Sequence, residues 1–168
     1  MATTTLTDLE LMQLATESGE AFVEGYYTAL NGSRHQVASF YVPKSTGARP
    51  MPHISYNGNL YNDASAFQER FQEMPYTHFE AQSVNAHVLN RDMGLSLHSK
   101  QDAHQNVSLT VQVSGYVRLE ERKEGPMRGF SDSFVLVPNK VEVGGKGTSK
   151  QGEGKKRVIQ RQNFRFVV

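Results

Sequence analysis

Cysteine and tryptophan are both missing from these 168 residues. Without cysteine there is no disulfide framework, no thiolate metal site and no cysteine nucleophile. That composition suits a reducing cytosolic or nuclear compartment. No apolar run approaches the roughly 18 residues that a membrane helix needs, and Met1 to Thr7 lacks the basic-then-apolar pattern of a secretion signal, so neither is expected. Lysine and arginine total 18 against 17 acidic residues. Composition therefore gives no global pull toward nucleic acid, and any basic patch must be local.

What is present is a change of period along the chain. From Asp8 to Leu30 the apolar residues Leu11, Leu14, Ala15, Phe22, Tyr26 and Ala29 recur at helical spacing. Thr7 and Glu10 have the spacing of a capping box, and Leu6 and Leu11 that of a hydrophobic staple. Gly19 and Gly25 weaken such a helix, so packing must hold it. Asn31-Gly32 stops it. A second helix is predicted from Ser33 as N-cap, turning Val37, Phe40 and Tyr41 inward, with Pro43 and the 45–52 stretch breaking it. Ile54 to Tyr61 reads as a hairpin around Asn57-Gly58. Asn62 or Asp63 can cap a third helix whose apolar positions include Ala66, Phe67, Phe71 and Met74, and Pro75 ends it.

After Pro75 the period becomes two. Phe79 to Leu89, Val107 to Leu119, Phe130 to Val137 and Arg157 to Val168 are predicted strands. In the second of these, Val107, Leu109, Val111, Val113, Val117 and Leu119 alternate with polar residues. Residues 90–106 read as a long loop and residues 138–156, rich in glycine and lysine, as a flexible excursion. The plan is α+β, with helices on one face of a mostly antiparallel sheet, in a single domain spanning 1–168.

The chain offers little for catalysis. His35, His53, His78, His87, His98 and His104 form no metal-ligating spacing, and no phosphate-loop, dinucleotide or nucleophile-elbow motif occurs. Gly144 to Ser149 has phosphate-loop composition without the strand and helix that must flank it. Asp132 shares the parity of Phe130 and Phe134, so it is the one carboxylate that can face inward; the expectation is a strand-edge residue rather than a catalytic one. Asp63 is explained as a helix cap. No enzyme activity, metal or cofactor is expected.

Two surfaces remain. Lys140, Lys146, Lys150, Lys155, Lys156 and Arg157 outnumber the acids of their loop, so contact with RNA phosphates is open beside a merely solvated loop. Gln112, Ser114 and Tyr116 line one side of their strand, and Arg161 and Arg165 one side of the last. Tyrosine and arginine are enriched at interfaces where lysine and glutamate are depleted. Interface and solvent remain equal readings of that face on pattern alone.

The segments Phe22 to Leu30, Val37 to Tyr41, Tyr56-Asn57-Gly58, Phe71 to Pro75, Val111 to Arg118, Gly129 to Leu136 and Asn163 to Phe166 occur in an order that resembles the nuclear transport factor 2-like family. Within it, the Tyr26-Tyr27-Thr28 of the first helix and the Phe164-Arg165-Phe166 ending are most similar to the small subunit of the nuclear mRNA export receptor. The resemblance covers about Glu20 to Val168. It implies a cone-like half barrel whose pocket Tyr56, Phe134 and Phe164 would line. It implies a non-catalytic subunit paired sheet to sheet with a larger relative through Gln112, Ser114, Tyr116, Arg161 and Arg165, with Arg165 matching an arginine that bonds a partner carboxylate. Phenylalanine-glycine nucleoporins, nonspecific RNA, no membrane, and a nuclear, pore-shuttling location follow from the same likeness. Two alternatives stay open: a homodimeric carrier of GDP-bound Ran, and an isomerase or dehydratase on the same fold. Asn57 stands where the Ran carrier has a carboxylate, and Glu120 to Glu124 is of mixed sign, so Ran binding is not implied.

Overall fold

The computed structural model describes residues 5–119, 125–139 and 155–167. Helix α1 runs Asp8–Gly32 and begins where the sequence places it: the Thr7 hydroxyl accepts from the Glu10 amide and the Glu10 carboxylate accepts from the Thr7 amide. That carboxylate also takes the Lys100 ammonium at 2.8 Å, and with Thr7 this holds Glu10 at a pKa of about 2. Gly19 lies against β3 (Thr77–Asn90), where a Cβ would stand 2.6 Å from Ala86 Cβ. The helix-weakening glycine is thus what lets helix and sheet approach.

The second helix is a 3-10 helix, Arg34–Phe40, not an α-helix, and Ser33 makes no side-chain cap. Its cation does work the sequence did not announce. Arg34 donates to the carbonyls of Leu30, Phe71 and Met74 and to the Thr77 hydroxyl, tying the end of α1 to the end of α2 (Ala64–Glu73). Asp63 caps α2 through the Ser65 amide. Ala64 rather than Ala66 is buried there, because Ala64, Phe67 and Phe71 share one face.

Strands β1 (His53–Tyr56) and β2 (Asn59–Tyr61) form the hairpin, with Asn57 and Gly58 both at positive φ (47° and 89°) as a primed turn requires. Residues 90–106 are not all loop: Ser99 caps a short α3, Lys100–Gln105, by accepting from the Asp102 amide. Ser99 and Asp102 have the Ser-x-x-Asp spacing of an N-terminal cap, but six residues carry too little apolar period to mark a helix. Strands β4 (Ser108–Leu119), β5 (Met127–Pro138) and β6 (Arg157–Val167) complete a six-stranded sheet of order β2-β1-β6-β5-β4-β3. Only the β1–β6 pair is parallel. The sheet is open, with β2 and β3 at its edges.

All helices lie on one face. There Tyr26, Phe67, Phe71, Phe130, Phe134 and Phe164 are fully buried, and Phe130 stacks on Phe164 at 5.5 Å. Gly115 marks the tightest strand contact: a Cβ there would sit 2.0 Å from the Glu80 carbonyl oxygen, beside the β3 bulge at Ala81–Ser83. Backbone cannot yield as a side chain can. Gly115→Ala is therefore expected to lower unfolding free energy by about 2–3 kcal/mol. Gly32→Ala, with nothing within 4 Å, should stay within about 0.5 kcal/mol of wild type. Urea denaturation of the two variants checks the contrast.

Candidate functional site

The strand period puts two different surfaces on the two faces of the sheet. On the helical face, β5 and β6 bring Asp132 and Gln162 together, and both are buried. Tyr27 of α1 donates to Asp132 Oδ2 at 2.9 Å, and Gln162 Nε2 reaches both carboxyl oxygens at 3.0 and 3.1 Å. Tyr26 and Tyr41 share a hydrogen bond of 2.7 Å, and both phenols lie within hydrogen-bond reach of the Gln162 side chain. Among the described residues no buried side-chain polar atom lacks a partner.

Asp132 therefore faces inward, and the strand-edge expectation is corrected. No cation meets it: the ion pairs among the described residues, Lys44–Asp63, Arg91–Asp8 and Lys100–Glu10, all lie at the surface. Burial pushes its carboxyl well above the usual carboxylate range, against the opposing hydrogen bonds of Tyr27 and Gln162. The same burial, followed by the charge of Asp132, raises the phenols of Tyr26 and Tyr27. The carboxyl–tyrosine pair has a form that proton-transfer catalysis uses, but it is sealed. Asp132 is 1% exposed and Tyr26 0%, so no substrate atom reaches it in this structure.

Tyr56, Phe134 and Phe164 do not wall an open pocket. Phe134 and Phe164 are fully buried, Tyr56 stacks on Phe164 at 4.4 Å, and Phe22 packs edge-on to Phe134 at 4.9 Å. Aromatic rings occupy the interior that a ligand would need. Among the described residues no cluster of three or more His, Asp or Glu could hold a metal, and no helix is long and apolar enough to cross a membrane.

Among the described residues the opposite face carries no helix. Its register forms three rows: Ser83, Ser114, Ser131 and Arg165; then Asn85, Gln112, Ser133, Asn163, Ser55 and Leu60; then His87, Thr110, Val135, Arg161 and His53. These rows contain no carboxylate and no lysine. Tyr116, 46% exposed, stands in the next row between Gly129 and the exposed Glu80, which brings one carboxylate to the edge of this face. Gln112, Ser114, Tyr116, Arg161 and Arg165 are thus brought onto one exposed surface. Neither arginine has an ion-pair partner among the described residues, and both line a shallow depression with His53, Leu60 and Ser133.

The basic loop divides. Lys140, Lys146 and Lys150 lie outside the described residues, as do Gly144 to Ser149 and Glu120 to Glu124. Lys156 faces solvent. Arg157 does not: it is buried, donating to the carbonyls of Val107 and His104 and to the Ser18 hydroxyl. Its place as the first residue of β6 turns it under the sheet, so it is withdrawn from any RNA-facing set. Sequence parity found Asp132 but missed its partners, although Gln162 shares the parity of Phe164.

A raised carboxyl pKa has a definite sign. The folded state keeps a proton that the unfolded chain releases near pH 4, so Asp132 costs stability as pH rises through and above that range. Wild type should lose stability relative to Asp132→Asn at up to about 1.4 kcal/mol per pH unit while the folded carboxyl stays protonated. Denaturation curves from pH 4.5 to 8 test this, and parallel curves would exclude it.

Comparison with known proteins adds the lineage. The profile of the nuclear transport factor 2 (NTF2) domain matches residues 18–147. No curated protein matches the chain. Among solved structures, a chain of the complex of Sac3N peptide bound to Mex67:Mtr2 aligns with TM-score 0.74 at 21% identity, over 92% of this chain and 99% of that one. A chain of the complex of the Chaetomium thermophilum Mex67 NTF2-like domain with Mtr2 aligns with TM-score 0.71 at 22% identity, with the same coverages. Nuclear transport factor 2 from Cryptosporidium parvum aligns with TM-score 0.58 at 19% identity, over 97% and 99%. At these identities the structural matches establish the shared fold.

Proposed function

The chain belongs to the nuclear transport factor 2 (NTF2) domain family, and from that premise we propose that it is the non-catalytic small subunit of a heterodimeric nuclear mRNA export receptor. One observation carries the proposal: among the described residues one face of the six-stranded sheet is uncovered, and its strand rows present Tyr116, Arg161 and Arg165 with no lysine and with a single carboxylate, Glu80, at the edge opposite Tyr116. Exposed sheet of this composition is suited to burial against a partner. Two unpaired arginines flanking one depression call for acidic groups opposite them, and guanidinium–carboxylate pairing would set the register. A second copy presents the same arginines, so self-pairing along this face sets like charge near like charge. A different chain with acidic groups there fits better.

The partner in this proposal is the NTF2-like domain of a Mex67-type large subunit, the assembly that the fold-matched complexes contain. The same reading places the protein in the nucleus and at the pore, shuttling to the cytoplasm, with contact to phenylalanine-glycine nucleoporins made through the complex. The sealed Asp132 site supports the absence of catalysis in this reading.

Co-expression with that domain should give a one-to-one complex. Arg165→Asp should weaken it at least tenfold, on the order of 2 kcal/mol, as for a central interfacial arginine. Light scattering that found a tight homodimer indifferent to Arg165→Asp would overturn the proposal. Nonspecific RNA contact through Lys140, Lys146 and Lys150 makes a separate prediction. Deleting residues 140–154 from the complex should reduce the steepness of the single-stranded RNA salt dependence by about 2, near 0.7 for each of three phosphates. Unchanged binding across a salt series would remove RNA from the proposal.

A further inference from the structure

A cleft of about 540 Å³ opens on the helical side, beside α1, where β5 ends and β6 begins. Its floor is apolar, made by Leu14, Ala21 and Phe22 of α1, Phe40 of the 3-10 helix and Leu136 of β5. Its wall is cationic, with Lys155, Lys156 and Arg157 joined by His104 of α3. Among the described residues Glu17 is the single acidic lining residue, and no ion pair there joins it to any of the three cations. The cleft lies on the other side of the sheet from the bare face and rests on nothing in the heterodimer reading.

Two of the cations are held in unusual places. The Lys155 ammonium sits 3.9 Å from the centre of the Phe40 ring and donates to the Ser39 hydroxyl. That cation–π seat places the charge directly over the apolar floor. Arg157 spends its guanidinium on the Val107 and His104 carbonyls and the Ser18 hydroxyl, all neutral. Burial lowers the pKa of both, that of Arg157 to about 10. A half-dry cation without a counter-ion is relieved by an anion, because a desolvated charge is costly until it is paired.

We propose that this cleft binds a small anionic amphiphile, with a carboxylate, sulfate or phosphate head at Lys155 and Lys156 and an apolar body against Phe22 and Phe40. The volume lies within the roughly 300–1,000 Å³ of small-ligand sites, and such sites combine an apolar lining with a few polar groups that fix orientation. Arg157 contributes its field rather than a direct bond, since its donors already hold the cleft together.

Decanoate, decanol and decyltrimethylammonium, which share a tail and differ in head charge, test this by calorimetric titration of the full chain below micelle-forming concentrations. Decanoate should bind saturably, and decyltrimethylammonium should not. The Lys155→Gln/Lys156→Gln double variant should weaken decanoate by about tenfold and leave decanol within about twofold. Glu17→Gln should tighten decanoate by about threefold, because it removes a like charge from the rim. An unchanged melting temperature shows that the double variant is folded; if it is not, Glu17→Gln carries the test alone. Vesicles containing phosphatidic acid distinguish a bilayer headgroup from a free ligand. Binding to vesicles without binding to decanoate would overturn the proposal. So would equal affinity for the two charged probes, no saturable decanoate binding, or a decanoate affinity indifferent to both the double variant and Glu17→Gln.

Discussion

Three elements of this protein meet at one buried carboxyl group. Asp132 on β5 is reached by Tyr27 from α1 and by Gln162 from β6, and Gln162 is reached in turn by Tyr26 of α1 and by Tyr41, just beyond the 3-10 helix. A polar group in an aromatic core costs free energy unless its bonds are made, so each of these side chains depends on the others being in place. The network therefore fixes how α1 sits across β5 and β6. It also closes the interior, because the groups that might have served a substrate are consumed in bonding one another. The rings of Tyr26, Phe130, Phe134 and Phe164 close around it.

That closure gives the two faces of the sheet different roles. The helical face is spent on the core, with Arg34 fastening the ends of α1 and α2 over it. Among the described residues there is no second layer of helices for the other face. Its polar rows face solvent and are aligned by the strand register into a continuous surface. A domain built this way can meet a partner with a hydrogen-bonded, pre-ordered sheet, so little ordering entropy opposes association. The price of that geometry is an exposed sheet face in the isolated chain.

The cationic cleft follows from the same economy of covering elements. Beyond the ends of β5 and β6 the sheet is covered by α1, the 3-10 helix and α3, which do not close completely, and Lys155 and Arg157 fill their junction from below. Charges occupy this position because Arg157 satisfies the carbonyls at the end of α3 and the start of β4. The residue that looked like part of a solvated basic loop is a structural bracket.

Most helix boundaries were legible because they depend on neighbours in sequence: Thr7 with Glu10, Asp63 and Pro75 each act within one turn, whereas Asn31-Gly32 stays helical up to the Ser33 cap and Asn31 instead bonds the Phe79 backbone. The facing of β4 was legible because strict alternation leaves one solution, and the exposed set Gln112, Ser114 and Tyr116 followed from it. The α-versus-3-10 choice after Ser33 was not, since packing of Val37 and Phe40 decides it. Nor was α3, whose six residues carry too short a period to register. The sequence by itself determined the order of elements, the single apolar face of each strand and the family likeness, because these arise from local chemistry and period. Only the tertiary structure decided that Asp132 is sealed with Gln162, that Arg157 is buried while Arg161 and Arg165 are bare, and that the interior is full. Those outcomes depend on which side chains meet across 30 to more than 130 residues of chain, and spacing along the sequence carries no information about such meetings.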